Sequence, residues 1–127
     1  MGEAVRKKVL VVDDDRSIRE YLHYLLDEQG YDVDEAENGV VALQRFSNSH
    51  YDVVITDISM PEKDGIDTII EMRDKEADAR IIAMSGVARS ETLLEIAKMY
   101  KADMAIKKPF QSDELLAALR EVLGDSR

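Results

Sequence analysis

The stretch VLVVDDDRSIREYL, residues 9–22, decides the fold. Four apolar residues run directly into Asp13, Asp14 and Asp15, and a helical pattern follows at once. At an effective dielectric constant near 20, two like charges about 4 Å apart repel each other by roughly 4 kcal/mol. A buried strand that ends in three carboxylates therefore needs either a compensating charge or exposure of the acids to water.

The same arrangement, an apolar run followed by a helical pattern, occurs five times along the chain. The predicted strands are residues 9–12, 31–36, 52–56, 80–84 and 102–106. After the first strand, Ile18, Leu22 and Leu25 follow the spacing of an amphipathic helix. Apolar strands that alternate with helices indicate a parallel sheet covered on both faces. The predicted fold class is α/β, a (βα)5 chain with a doubly wound five-stranded sheet.

Residues at the ends of the predicted helices are typical capping residues. Asp15 is expected to cap the start of the first helix, and Gly30 stands where its C-terminal cap belongs. Ser112 is expected to cap the last helix.

Composition excludes several classes of protein. The 127 residues are 45% apolar and predict one domain, residues 1–127, with a core from Lys8 to Leu123. A net charge of -10 argues against nucleic-acid binding and suits divalent cations or basic protein surfaces. The chain has no cysteine and no apolar run long enough to span a membrane, so the expected location is the cytoplasm.

Chemically active residues follow the predicted strands at their carboxyl ends. Asp13 and Asp14 follow the first strand, Asp57 the third, Ser85 the fourth and Lys108 the fifth. In the strand order 2-1-3-4-5, strands one and three are neighbours, so three acids would share one cleft. Mg²⁺ (or Mn²⁺) prefers oxygen ligands and would balance their charge. A carboxylate beside such an ion can also attack phosphorus and form an aspartyl phosphate.

From Lys8 to Leu123 the sequence resembles the receiver domain of response regulators, the two-component signalling proteins. The resemblance rests on VLVVDDD, on DVVITDISMPEKDG, on Ser85-Gly86 and on KPF at 108–110. It implies the flavodoxin-like strand order 2-1-3-4-5. It also implies that a histidine kinase or a phosphotransfer protein donates a phosphoryl group to the domain. The face formed by the fourth helix, fifth strand and fifth helix would then control a downstream output protein or a fused output domain.

The resemblance implies a role for each matching residue in a Mg²⁺ site. Asp14, Asp57 and the backbone carbonyl of Ser59 match the direct ligands, and Asp13 matches the acid that binds the ion through a water molecule. No organic cofactor is expected, and neither is binding to nucleic acid or to a membrane.

Three further roles are implied by the resemblance. Asp57 matches the phospho-acceptor, Lys108 matches the lysine that pairs with it or with its phosphate, and Ser85 is similar to the switch hydroxyl. The bond from Lys108 to Pro109 would be cis. The domain would not be an enzyme beyond its own phosphotransfer and autodephosphorylation.

The chain departs from the family pattern at several positions. Ala105 stands where family members usually carry an aromatic residue of the switch, and Lys101 stands where a glycine commonly ends the fourth helix. Ser59 and Val87 occupy positions that commonly tune the lifetime of the phosphate. Because Val87 cannot hold a water by hydrogen bonding, the phosphorylated state is expected not to be especially short-lived.

Two other functions fit part of the sequence. Residues 13–17 loosely match the D-x-D-x-[TV] signature of haloacid-dehalogenase-like phosphatases, in which Asp13 would be the nucleophile. A receiver-like interaction module that works without phosphorylation is the other, and only Ala105 favours it. His23 and His50 have no metal-ligand spacing and are expected to be structural or surface residues.

Overall fold

The computed structural model describes residues 6–58, 65–86, 95 and 102–124. The strands are β1 (Lys8–Val12), β2 (Asp32–Ala36), β3 (Val53–Asp57), β4 (Ile81–Ser85) and β5 (Met104–Lys107). The helices are α1 (Arg16–Glu28), α2 (Gly39–Asn48), α3 (Gly65–Lys75) and the C-terminal helix (Ser112–Val122). Every pair of neighbouring strands is parallel, and the order is β2-β1-β3-β4-β5. The predicted α/β fold and its strand order 2-1-3-4-5 are confirmed.

Helices cover both faces of the sheet, as the doubly wound prediction requires. On one face, α1 and the C-terminal helix pack Leu22, Leu26 and Leu119 against side chains such as Ile55 of β3. On the other face, α2 and α3 contribute a second cluster that includes Met72. Burying one such side chain stabilises the fold by roughly 1.5–3 kcal/mol. The two clusters pack against the central strands, whose carboxyl ends lie together at one end of the sheet.

The two strands that carry predicted site residues end slightly later than the sequence indicates. Asp57 and Ser85 are the last residues of β3 and β4 and not the first residues of the following loops. The sheet extends to them because Asp57 is in register with Met84, and the Ile58 N–H donates to the Met84 carbonyl at 3.0 Å. Both side chains therefore start from backbone that sheet hydrogen bonds hold in place.

The capping predictions are correct for α1 and wrong for the C-terminal helix. Oδ1 of Asp15 accepts a hydrogen bond from the Ser17 N–H at 2.9 Å, and Gly30 has φ +94 just beyond the helix. Ser112 is not the cap, because it is already the first helical residue. Gln111 is the cap, with extended backbone, and its N–H donates to Oε1 of Glu114 at 2.7 Å.

The fourth of the five helices that the sequence pattern predicts follows the strand at 80–84 and lies almost wholly outside the described residues. Its apolar residues would be Leu93, Ile96, Ala97 and Tyr100. Glu95 alone is described within it, and it is helical. Among the described residues, no helix has the length and apolar character that a membrane span needs.

Candidate functional site

Asp13, Asp14 and Asp57 come together at the carboxyl edge of the sheet. Val12 of β1 is in register with Thr56 of β3, so the residues that follow each of them are neighbours. The three side chains each place a carboxylate oxygen within 4.8 Å of the others. The structure therefore brings together the three acids that the sequence predicts for one cleft.

These acids differ in their access to solvent. Asp13 is completely buried and Asp57 is 5% exposed, whereas Asp14 is exposed. Oδ1 of Asp13 accepts a hydrogen bond from the Asp15 N–H at 2.9 Å, which bends the chain from β1 into α1. Asp14 thus lies at the mouth of the cleft, Asp57 near its floor, and Asp13 is held within the protein.

Lys108 reaches the acids from the end of β5. Its Nζ lies 2.7 Å from Oδ2 of Asp13 and 3.7 Å from Oδ2 of Asp57. The backbone supports this position, because the Lys108 N–H donates to the Ser85 carbonyl at 2.7 Å. The peptide bond from Lys108 to Pro109 is cis, as the resemblance implies.

The charge of the cluster and its geometry both suit a hard divalent cation. Three carboxylates and one ammonium leave a formal charge of -2. Two opposite ligands of Mg²⁺ are about 4.2 Å apart at metal–oxygen distances near 2.1 Å, and Mg²⁺ usually keeps several waters. Oxygens within 4.8 Å of one another fit such an ion when one acid binds it through water. Ser59, the other predicted ligand, lies outside the described residues.

Ser85 and Ala105 occupy the neighbouring strands. Ser85 ends β4, is fully buried and is in register with Lys107, so it lies beside the strand that leads into Lys108. Ala105 is half-buried in β5, in register with Ala83, and packs on the α2–α3 side of the sheet. Val87 and Lys101, the other departures from the family pattern, lie outside the described residues.

Arg19 contacts the site and Glu35 contacts Arg19, and neither residue was predicted from the sequence. Nη1 of Arg19 donates to the backbone carbonyl of Asp13 at 2.6 Å, and its Nε donates to Oε1 of Glu35 at 3.3 Å. Nδ1 of His23 lies 2.7 Å from Oε2 of Glu35, and the His23 side chain is 43% exposed, so it is a surface residue that contacts Glu35. The helical spacing of the sequence could have indicated this role of Arg19. Arg19 shares the buried face of α1 with Leu22 and Leu26, where a cation needs a partner.

An apolar groove of about 300 Å³ adjoins the acidic cleft. It lies between α1 and the segment after β5, and its lining residues are Ile18, Tyr21, Gly86, Lys108, Pro109 and Phe110. Tyr21 is 47% exposed. The groove therefore offers apolar contact area directly beside the ammonium group that faces the acids.

The family model described as the response regulator receiver domain matches residues 9–120. Chemotaxis protein CheY of Halobacterium salinarum is 38% identical over 117 residues, which covers 92% of this chain and 97% of that protein. Regulatory protein AtoC of Escherichia coli is 39% identical over 116 residues. The chain spans 25% of the length of AtoC and 50% of response regulator MprA from Mycobacterium.

Solved structures agree with the sequence comparisons. The response regulator TrrA of Thermotoga maritima, crystallised in complex with Mg²⁺-BeF, is 39% identical with a TM-score of 0.83. The comparison covers 91% of this chain and 98% of that one. Chemotaxis protein CheY4 of Vibrio cholerae is 30% identical with a TM-score of 0.86, over 93% of this chain and 99% of that one. With the family match and the acidic cluster, these findings identify the fold and the domain type: the chain belongs to the response regulator receiver domain family.

Proposed function

We propose that this receiver domain accepts a phosphoryl group on Asp57 in a Mg²⁺-dependent reaction and thereby controls an output partner. The donor is the phosphohistidine of a histidine kinase or of a phosphotransfer protein. The observation that carries the proposal is the convergence of Asp57, Asp14 and Lys108 at one end of the sheet. The Mg²⁺-BeF complex of the TrrA relative supports the choice of ion.

In the proposed reaction a carboxylate oxygen of Asp57 forms a bond to phosphorus. The bond between phosphorus and the imidazole nitrogen breaks, and that nitrogen keeps the electron pair. The second ring nitrogen of the donor carries a proton, so the donor histidine leaves as neutral imidazole. Mg²⁺, held by Asp14, Asp57 and the Ser59 carbonyl and by Asp13 through water, would supply positive charge against the phosphoryl oxygens. Lys108 would add its ammonium charge, and the apolar groove beside it offers contact area for the donor protein.

The side chain of Asp57 is 7% exposed, so a phosphodonor can reach it more easily than it can reach Asp13. Oδ1 of Asp13 is bonded to the Asp15 N–H and Oδ2 to Lys108, and its side chain has no exposed surface. An in-line attack on phosphorus needs a carboxylate oxygen that a donor can approach. This favours phosphorylation of Asp57 over the alternative, a haloacid-dehalogenase-like phosphatase that uses Asp13.

The proposed readout depends on Ser85. Its hydroxyl would move onto the phosphoryl group and pull the segment after β4 with it, which would alter the face near β5 and the C-terminal helix. Ala105 has no side-chain rotamer to change, so Ser85 carries the switch without the usual aromatic partner. The output is either a fused domain, as the partial coverage of AtoC and MprA suggests, or a separate protein. The proposal places this activity in the cytoplasm.

The test is phosphorylation of the chain by acetyl phosphate with Mg²⁺, followed by mapping of the modified residue. We expect one hydroxylamine-labile phosphoryl group on Asp57, no modification after chelation of Mg²⁺, and none in Asp57→Asn. Asp32→Asn, which removes an exposed acid of β2, is the matched control and should behave as the parent chain does. A phosphoryl group on Asp13 would establish the phosphatase alternative.

A second measurement separates signalling from modification alone. A shift in partner affinity or in oligomer size after phosphorylation supports the receiver function. If the chain binds its partner equally well in the parent and in Asp57→Asn, with and without acetyl phosphate, the phosphorylation-independent module is correct. The lifetime prediction is also testable, since a phosphoryl half-life of a few seconds in Mg²⁺ buffer would contradict it.

A further inference from the structure

Arg19 links helix α1 to the backbone that carries two of the three acids. Its Nη1 donates to the carbonyl oxygen of Asp13 at 2.6 Å, while its Nε donates to Glu35 on β2 at 3.3 Å. The Arg19 side chain is 14% exposed. A planar guanidinium that makes two such bonds fixes the relative position of its partners better than a single donor can.

Besides the pairing of its Oδ2 with Lys108, Asp13 makes three further hydrogen bonds. Its N–H donates to the Ala36 carbonyl at 3.1 Å, its Oδ1 accepts from the Asp15 N–H, and its carbonyl accepts from Arg19. The carbonyl belongs to the peptide unit that joins Asp13 to Asp14. A rotation of that unit would move both carboxylates relative to Asp57, so the bond from Arg19 acts directly on the geometry of the cluster.

Glu35 holds Arg19 in turn. It lies on β2 in register with Val11 of β1, and Nδ1 of His23 contacts its second carboxylate oxygen at 2.7 Å. Glu35 is therefore fixed both by the sheet and by α1. The bonds form a continuous connection from β2 through Glu35 and Arg19 to the peptide unit of Asp13 and Asp14.

We propose that Arg19, braced by Glu35, is a positioning residue that sets the affinity of the acidic cluster for Mg²⁺. The inference rests on the proposed metal site and goes beyond the ligands themselves. Arg19 does not contact the metal or the phosphoryl group; it orients the peptide unit that presents Asp13 and Asp14. Removal of groups that orient metal ligands typically weakens metal binding about 10–100-fold.

The direction in which Mg²⁺ affinity changes when Arg19 is removed distinguishes a positioning role from an effect of its charge. Arg19 is a cation close to a site for a divalent cation, so by charge alone it opposes metal binding. If Arg19 acted only through its charge, its removal would strengthen Mg²⁺ binding. If it positions the acids, its removal weakens Mg²⁺ binding in spite of the more negative site.

The experiment is a calorimetric Mg²⁺ titration of the full chain and two variants, without a phosphodonor. We expect Arg19→Gln to raise the Mg²⁺ dissociation constant about 10-fold. Arg16→Gln is the matched control, because it removes the same charge from the same helix. The Arg16 side chain is 81% exposed, and its Nε lies 2.8 Å from Oε2 of Glu20. Arg16→Gln should bind Mg²⁺ as tightly as the parent chain or more tightly.

Equal or tighter Mg²⁺ binding by folded Arg19→Gln would overturn the proposal, and so would equal weakening by Arg16→Gln. If Arg19→Gln does not fold, Arg19→Lys replaces it. Lysine keeps the charge but lacks the guanidinium group that donates to both Asp13 and Glu35. Weaker Mg²⁺ binding by Arg19→Lys therefore supports the positioning role, and unchanged binding contradicts it. Because these titrations use no phosphodonor, their outcome is independent of whether Asp57 becomes phosphorylated.

Discussion

Lys108 is paired more closely with Asp13 than with Asp57: its Nζ is 2.7 Å from Oδ2 of Asp13 and 3.7 Å from Oδ2 of Asp57. The resemblance pairs this lysine with Asp57 or its phosphate. The observed geometry gives the buried charge of Asp13 a direct partner and leaves Asp57 with a longer contact to the ammonium. Lys108 is thus close enough to follow a new negative charge on Asp57 by a small movement of its flexible side chain.

Gly86→Ala tests the dependence of the site on the position of Lys108. A Cβ at residue 86 would lie 3.2 Å from Cβ and 3.4 Å from Cδ of Lys108. Because Cβ is fixed to the backbone, we expect the lysine stem to shift and its Nζ to leave its position between the acids. Phosphorylation of Asp57 by acetyl phosphate should become several-fold slower, measured by mass spectrometry at early times.

Gly30→Ala is the control for a loss of stability without a change in the site. Gly30 has φ +94, and nothing lies within 4 Å of an added Cβ. The substitution should therefore lower the free energy of unfolding by about 1 kcal/mol through backbone strain alone. Its phosphorylation rate should match that of the parent chain. Equal rates in Gly86→Ala and the parent would show that the lysine tolerates the added methyl group.

Asp14→Asn should stabilise the metal-free protein and remove its response to Mg²⁺. The three carboxylates lie within 4.8 Å of one another. Removing exposed Asp14 relieves a repulsion of about 1 kcal/mol for each neighbouring carboxylate at the dielectric constant of water. Mg²⁺ at a hundred times its dissociation constant should add roughly 2.7 kcal/mol to the free energy of unfolding of the parent. Urea denaturation with and without Mg²⁺ measures both effects. A variant that Mg²⁺ stabilises as strongly as the parent would exclude Asp14 as a ligand.

Asp15 should contribute to stability through capping and not through the phosphorylation chemistry. Its Oδ1 accepts from the N–H groups of Ser17 and Ile18 at 2.9 and 3.4 Å. Asp15→Ala should lower the free energy of unfolding by about 1 kcal/mol, whereas Asp15→Asn should stay near the parent. Both variants should still become phosphorylated on Asp57. Loss of phosphorylation in folded Asp15→Asn would instead place Asp15 in the site.

The alkaline stability of the fold should depend on Tyr51. Burial, together with the hydrogen bond from its hydroxyl to Oδ2 of Asp34 at 2.6 Å, raises the pKa of Tyr51 well above its ordinary value of 10.0. The folded protein therefore keeps a phenolic proton that the unfolded chain loses above that value. The contribution of the Tyr51 proton to the free energy of unfolding is fully present below pH 10. Above pH 10 it falls by about 1.4 kcal/mol per pH unit.

Tyr51→Phe removes the titrating group and tests this linkage. At neutral pH the free energy of unfolding of the variant should be about 1 kcal/mol lower than that of the parent, because Asp34 loses the hydrogen bond from the Tyr51 hydroxyl. Above pH 10 its free energy of unfolding should fall less steeply with pH than that of the parent. Urea denaturation at a series of alkaline pH values measures the two slopes, and identical slopes would contradict the assignment.

The edge of the sheet at which the acids gather was predictable from the sequence. Apolar strands that alternate with helices fold as a parallel sheet, and residues that follow successive strands then lie at the same edge. Asp13, Asp57 and Ser85 could be placed there from their positions alone. The helix around residues 90–100 remains a prediction, because it lies outside the described residues.

The detailed contacts of the site could not be predicted in the same way. Lys108 and Asp13 are 95 residues apart in the chain, and whether the ammonium meets Asp13 or Asp57 depends on side-chain rotamers and distances of about 1 Å. The bond from Arg19 to the Asp13 carbonyl likewise depends on how α1 packs against β2. Periodicity in the sequence determined which side chains reach the edge of the sheet, because it reports backbone direction and burial. Only the tertiary structure decided which of them pair, because pairing depends on the positions of individual atoms brought together by packing.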